Sequence, residues 1–165
     1  MVDAWRMVAA RREFEGSLAL SSMPRLRDAL CDDHGRVHCV IGFDRDALQV
    51  PYVELRIEAS LPLVCQRTLQ RFELPVRLVQ RLGLLAAGAD EATEAGLPED
   101  YEPLLVPDDG MLRPAELVED ELILAVPVVP VAPGSEAMER DWPVQAGEAA
   151  QANPFAALSK LKKGD

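Results

Sequence analysis

The segment VELRIEASLPLVCQRTLQRFELPVRL, residues 53–78, decides how the rest of the chain can fold. Val53, Leu55, Ile57, Ala59, Leu61 and Leu63 are apolar, and Glu54, Arg56, Glu58 and Ser60 stand between them. A polar break at Cys65–Gln70 follows. Phe72, Leu74, Val76 and Leu78 then resume the alternation, with Glu73 and Arg77 on the other side. Two long runs of period two around a polar turn predict an antiparallel hairpin with one buried face. Pro62 and Pro75 have no amide proton to give to a ladder, so edge positions or bulges are expected there.

Working outward toward the N-terminus, Val37, Cys39, Ile41 and Phe43 alternate with Arg36, His38, Val40 and Gly42 and predict a third strand. Asp44–Gln49 turns the chain into the hairpin. Residues 3–12 predict a short helix with Trp5, Val8 and Ala9 on one face. Residues 13–20 read as an extended connection through Gly16. Ser21 or Ser22 is placed to cap a second helix with Pro24 in its first turn, ending near His34 before Gly35. The fold class is α+β: an antiparallel sheet built on the long hairpin, flat or curled toward a barrel, with helices packed on it.

Toward the C-terminus, residues 85–96 are small, acidic and unpatterned, which predicts a mobile loop. Tyr101–Val106 predicts a short strand, and Pro107–Gly110 a turn. ELVEDELILAVPVVPV, residues 116–131, places Glu116, Glu119, Asp120 and Glu121 in its first six positions and then turns apolar. It predicts a helix opened by Pro114 and ended by Pro127, with Val118, Leu122 and Ala125 on one face and Leu117 and Leu124 widening it. An extended, buried strand should follow. One domain is thus expected over 1–131, a disordered acidic linker over 132–152, and a short amphipathic docking helix over 153–165. Phe155, Leu158 and Leu161 lie on one face of that helix, and Lys160, Lys162 and Lys163 gather near its end.

The formal net charge of −11 is unevenly spread. Residues 1–85 hold 12 Arg against 11 Asp and Glu, whereas residues 86–165 hold 5 basic against 17 acidic residues. So acidic a chain does not coat phosphate backbones broadly. Local arginines of the first half and a basic protein partner for the second half both stay open. No apolar run reaches membrane-spanning length and the first residues lack a signal-peptide core, so the cytoplasm is the expected compartment.

No catalytic constellation is complete. Cys31, His34, His38 and Cys39 have suggestive spacing, but a strand sends His38 and Cys39 to opposite faces, which spoils tetrahedral convergence. They read as packing cysteines and surface histidines. Cys65, in the hairpin turn, reads as a thiol with no evident partner. Glu116, Glu119 and Asp120 follow roughly helical spacing and could in principle serve a metal-dependent nuclease. The more ordinary reading is a solvated acidic helix start that complements the macrodipole. No phosphate loop or nucleophile elbow is present, and no cofactor is expected.

Four segments, CQRTLQRFE at 65–73, LPEDYEPLLV at 97–106, ELVEDELILAVPVVPV at 116–131 and NPFAALSKLKK at 153–163, resemble the bacterial YceD family, the large ribosomal RNA subunit accumulation proteins. With a looser match over the N-terminal helices, the resemblance spans nearly the whole chain. It implies a non-catalytic role in synthesis, processing or stability of 23S rRNA, through binding of pre-rRNA or a large-subunit ribosomal protein. Many family members carry Cys-x-x-Cys in the hairpin turn, half of a zinc site. Here Thr68 takes the second position, and a second pair expected after the VPV segment is missing, since 132–138 holds no Cys or His. The implied contact residues are Arg25, Arg27, Arg56, Arg67, Arg71 and Arg77 for RNA, and for a protein partner the acids Glu116, Glu119 and Asp120 with the Phe155/Leu158/Leu161 helix. An acidic chaperone for a basic protein unrelated to rRNA is the alternative, and a nuclease the remoter one.

Overall fold

The computed structural model describes residues 1–135. The linker beyond Ser135 and the Phe155/Leu158/Leu161 helix lie outside the described residues. Strand β1 (Val2–Asp3) leads into helix α1 (Ala4–Ala9), β2 (Glu13–Ala19), α2 (Pro24–Arg27), β3 (Arg36–Arg45), β4 (Pro51–Val64) and β5 (Arg71–Ala86). Then come α3 (Glu91–Glu94), β6 (Glu102–Val106), β7 (Met111–Leu112) and α4 (Pro114–Ala125). The main sheet has the order β2-β3-β4-β5-β6, and β1 pairs separately with β7. The sheet is open, with β2 and β6 at its edges, so it does not curl into a barrel.

The expected hairpin is β4–β5. Its register is unbroken from Tyr52↔Gly83 to Val64↔Arg71, so the prolines introduce no bulge. Pro62 opposes Glu73, and its carbonyl accepts from Cys31 N–H at 3.0 Å, away from β5. The missing N–H of a strand residue points the same way as its carbonyl, so Pro62 costs the ladder nothing. Pro75, opposite Ser60 and two pairs along, has the same orientation by alternation.

Strands β3 and β4 bury the alternating set that the sequence marks out, whereas on β5 Val76 is buried and Phe72, Leu74 and Leu78 are half-buried. Val37, Phe43, Val53, Leu55, Ile57, Leu61 and Leu63 are almost fully buried. Helices α1 and α4 complete this core with Ala4, Val8, Val118 and Leu122. The extended connection over 13–20 is a strand in its own right, pairing Glu13↔Gly42 through Ala19↔Arg36. Tyr101–Val106 yields β6, which runs parallel to the end of β5, Leu82↔Glu102 to Ala86↔Val106. A parallel neighbour needs a crossover, and residues 87–101 supply it. The stretch read as a mobile loop therefore holds the end of β5 and a capped turn of helix, where Asp90 Oδ1 accepts from Thr93 N–H at 2.9 Å. Gly83 lets this crossover approach, because a Cβ there would sit 2.7 Å from Leu97.

Three expectations fail. Helix α2 is four residues long and does not reach His34, and Ser22 bonds Ala19 O instead of capping it. Leu124 is 74% exposed and stands off the buried face of α4. No strand follows α4 within the described residues: Val128 and Val129 are exposed and the segment pairs with no ladder. Two prolines three residues apart remove the donors that such a strand needs. The strap instead touches the hairpin turn at its far end, where Gln66 N–H donates to Pro130 O at 2.8 Å. The exposure difference along α4 predicts the outcome of two truncations. Leu122→Ala should cost about 2–5 kcal/mol in denaturant unfolding, and Leu124→Ala no more than about 0.5 kcal/mol.

Candidate functional site

Glu119 is the one acid of the described residues that the fold buries, at 4% exposure. Its place on α4 follows from Val118 and Leu122, which carry that side of the helix into the core. The carboxylate meets the start of α2, whose N-cap residue, Met23, has no capping side chain. Glu119 Oε1 accepts from the backbone N–H groups of Arg25 at 2.7 Å and Leu26 at 3.1 Å. Oε2 accepts from Arg25 Nε at 3.3 Å and Nη2 at 3.1 Å. The Arg25 guanidinium also donates to Asp120 Oδ1 and to the carbonyl of Glu116. A side chain 94 residues away thus caps α2 and is held by the second residue of that helix. Burial pushes the Glu119 carboxyl up, but the two N–H groups and the guanidinium outweigh it and hold the group below the usual carboxylate range.

The nuclease and contact readings placed Glu116, Glu119 and Asp120 together, and the structure does bring them to one end of α4. It gives them other work. Glu119 is a cap and not a solvated surface acid, Asp120 pairs with Arg25, and Glu116 Oε1 accepts from Arg113 at 2.8 Å. Among the described residues no group of three or more His, Cys, Asp or Glu is placed to hold a metal. Beside this clasp a groove of about 460 Å³ is lined by Leu18, Met23 and Pro114 and by the charged Arg25, Arg113 and Glu116.

The arginines singled out for RNA are mostly tied to carboxylates. Arg56 pairs with Glu54 at 2.7 Å, Arg71 with Asp32 at 2.7 Å and Glu73 at 2.6 Å, and Arg77 with Glu58 at 3.5 Å. Arg71 holds the Asp32 carboxyl down to about 2. Arg81, which the sequence reading passed over, shares Glu54 at 2.9 Å and lies over the Tyr52 and Tyr101 rings. The signal for these pairs was available: a turn centred between Arg67 and Thr68 sets Glu58 opposite Arg77 and Glu54 opposite Arg81. The Arg27 side chain is exposed with no hydrogen bond or ion pair among the described residues, and Arg67 is exposed in the hairpin turn.

The opposite holds for the acids of the crossover. Residues 87–112 carry Asp90, Glu91, Glu94, Glu99, Asp100, Glu102, Asp108 and Asp109 and no basic residue. All but Glu94 are exposed. Among the described residues the one ion pair on this arm is Asp100 with Arg81, at 3.5 Å.

The cysteines and histidines stay apart as a set. Cys39 is buried while His38, next along β3, is half exposed on the other face beside Glu15. Cys31 and His34 are exposed near Asp32. Cys65 departs from its expected isolation. It is fully buried, and its sulfur accepts from Ala132 N–H at 3.3 Å. That N–H and the Thr68 hydroxyl, working against burial, hold the thiol down to about 6.

No helix among the described residues is long and apolar enough to cross a membrane. The family model for the large ribosomal RNA subunit accumulation protein YceD matches residues 53–162. A curated protein of that name from Haemophilus influenzae is 28% identical over 167 aligned residues, covering 98% of this chain and 94% of the relative. No solved structure matches. The chain belongs to the YceD family.

The Glu119 geometry fixes a pH response. A carboxyl held low in the fold contributes stability above its unfolded pKa and loses it as pH falls through and below the usual carboxylate range. Glu119→Gln keeps an acceptor for the N–H groups but no charge for Arg25. It should weaken the fold less than Glu119→Ala, which leaves two backbone donors unmet at about 1–3 kcal/mol each. In acid-unfolding curves Glu119→Gln should also be flatter than the natural chain.

Proposed function

We propose that this member of the YceD family supports large-subunit rRNA accumulation without catalysis, by holding a basic large-subunit ribosomal protein. The observation that carries this reading is the split in charge use. Four sheet arginines, Arg56, Arg71, Arg77 and Arg81, are spent on internal carboxylates, whereas the crossover presents a run of acids with almost no internal cations. Exposed acids of one sign steer and bind a basic partner, and already neutralised arginines release few counterions from a phosphate backbone. The largely apolar groove beside Glu119, whose charged lining of Arg25, Arg113 and Glu116 is internally paired, suits an anchoring side chain from a protein better than a nucleic acid backbone. Arg27, whose side chain pairs with no group of the described residues, is the entry point for RNA should the contact be direct.

Affinity capture of the full chain from its own lysate, with and without RNase, separates the two. The expected result is a basic large-subunit ribosomal protein that survives RNase. Changing Glu91, Glu94, Glu99 and Glu102 together to Gln should reduce that capture about tenfold or more, by removing several rim charges. Precursor rRNA that vanishes with RNase, with no protein left behind, would transfer the role to Arg27.

A further inference from the structure

Residues 65–68 and 132–135 form two short turns that face each other across 67 positions of sequence. In the first, Leu69 N–H donates to Cys65 O at 2.8 Å and Cys65 N–H to Gln70 O at 2.9 Å. In the second, Ser135 N–H donates to Ala132 O at 3.1 Å, and Gly134 takes the left-handed conformation that closes the turn, φ +78°. The corners meet at one sulfur. Ala132 N–H donates to Cys65 Sγ at 3.3 Å, Ser135 Oγ lies 3.7 Å from it, and Thr68 bonds it through hydroxyl and N–H. Paired positions two residues apart on two facing turns are how structural zinc sites are held.

The donor set does not fit a metal. The four corner positions hold a thiol, a hydroxyl, a methyl and a second hydroxyl: Cys65, Thr68, Ala132 and Ser135. Structural zinc takes thiolate and imidazole ligands, and one sulfur cannot bind it alone. Sulfur lone pairs are already engaged by N–H groups, and Ser135 Oγ gives its proton to Ala132 O at 2.6 Å. We infer that this pair of turns is a metal-knuckle scaffold that closes in this chain without metal, as a hydrogen-bonded clip centred on the Cys65 sulfur. Its job is to pin the exposed Val126–Val131 strap to the hairpin turn, which Gln66 N–H to Pro130 O reinforces. Filling the three non-ligating corners with cysteine should turn the clip into a metal site.

The full chain, purified after growth in zinc-replete medium, is expected to hold far less than one zinc per chain. Its Tm should not move with a strong chelator. Near-stoichiometric zinc whose removal lowers Tm would overturn the inference. The triple variant Thr68→Cys/Ala132→Cys/Ser135→Cys should bind one cobalt(II) with the absorption of a tetrahedral thiolate site and gain Tm with zinc. A folded triple variant that binds neither would show that the corners do not converge. Independently of that variant's folding, Cys65→Ala should speed amide exchange at Ala132 by about tenfold, the worth of one hydrogen bond. Unchanged exchange there would overturn the clip.

Discussion

The carboxylate of Glu119 ties α2 to α4, elements more than 90 residues apart in the chain. The sheet can form from local turns, but the layer above it is made of short pieces. Helix α2 has four residues, too few to persist in water. Its first N–H groups would be orphans without Glu119, and Glu119 would be a buried, unpaired charge without Arg25. Each cancels the other's liability. Breaking a buried pair by removing one partner is strongly destabilising, typically by about 3–5 kcal/mol, even where the intact pair adds little over an apolar isostere. The interaction is therefore better seen as a constraint on where α4 may dock than as a large source of stability. It also orients the start of α4, and with it the groove and Glu116.

From that constraint follows the division of charge. Arg25, Arg56, Arg71, Arg77 and Arg81 serve as internal counterions on α2 and the sheet. Exposed pairs of this kind contribute little stability singly, roughly 0–1 kcal/mol each. Their consequence here is electrostatic: these arginines are neutralised locally, each beside its own carboxylate. The excess negative charge is left on the β5–β6 crossover, whose parallel connection forces a long excursion away from the sheet edge.

How legible was this in the sequence? The hairpin was, because alternation and a symmetric polar turn fix both face and register, and the ion pairs across it come with the register. Helix α4 was, through Pro114 and the spacing of Val118 and Leu122. The strand over Glu13–Ala19 was half legible: it was read as extended, but two glutamates and a glycine give no buried face to mark it. The parallel sense of β6 was hidden because direction depends on the crossover and not on the strand. Two errors share a cause. Leu124 and the Val126–Val131 strap were read as buried because they are apolar, and apolar composition does not say whether a ladder or a neighbour is there to cover it. Glu119 could not be foreseen at all. Nothing local separates it from Glu116 or Asp120, and its partners lie 93 and 94 residues away.

The most direct test of the Glu119 clasp is native-state hydrogen exchange at the Arg25 and Leu26 amides, compared with the amides of Val118 and Leu122 in α4. If the carboxylate caps α2 from across the molecule, the two α2 amides open only when α4 does, with the same opening free energy. Exchange at Arg25 and Leu26 near the rate of an unstructured peptide, with α4 still protected, would contradict the account.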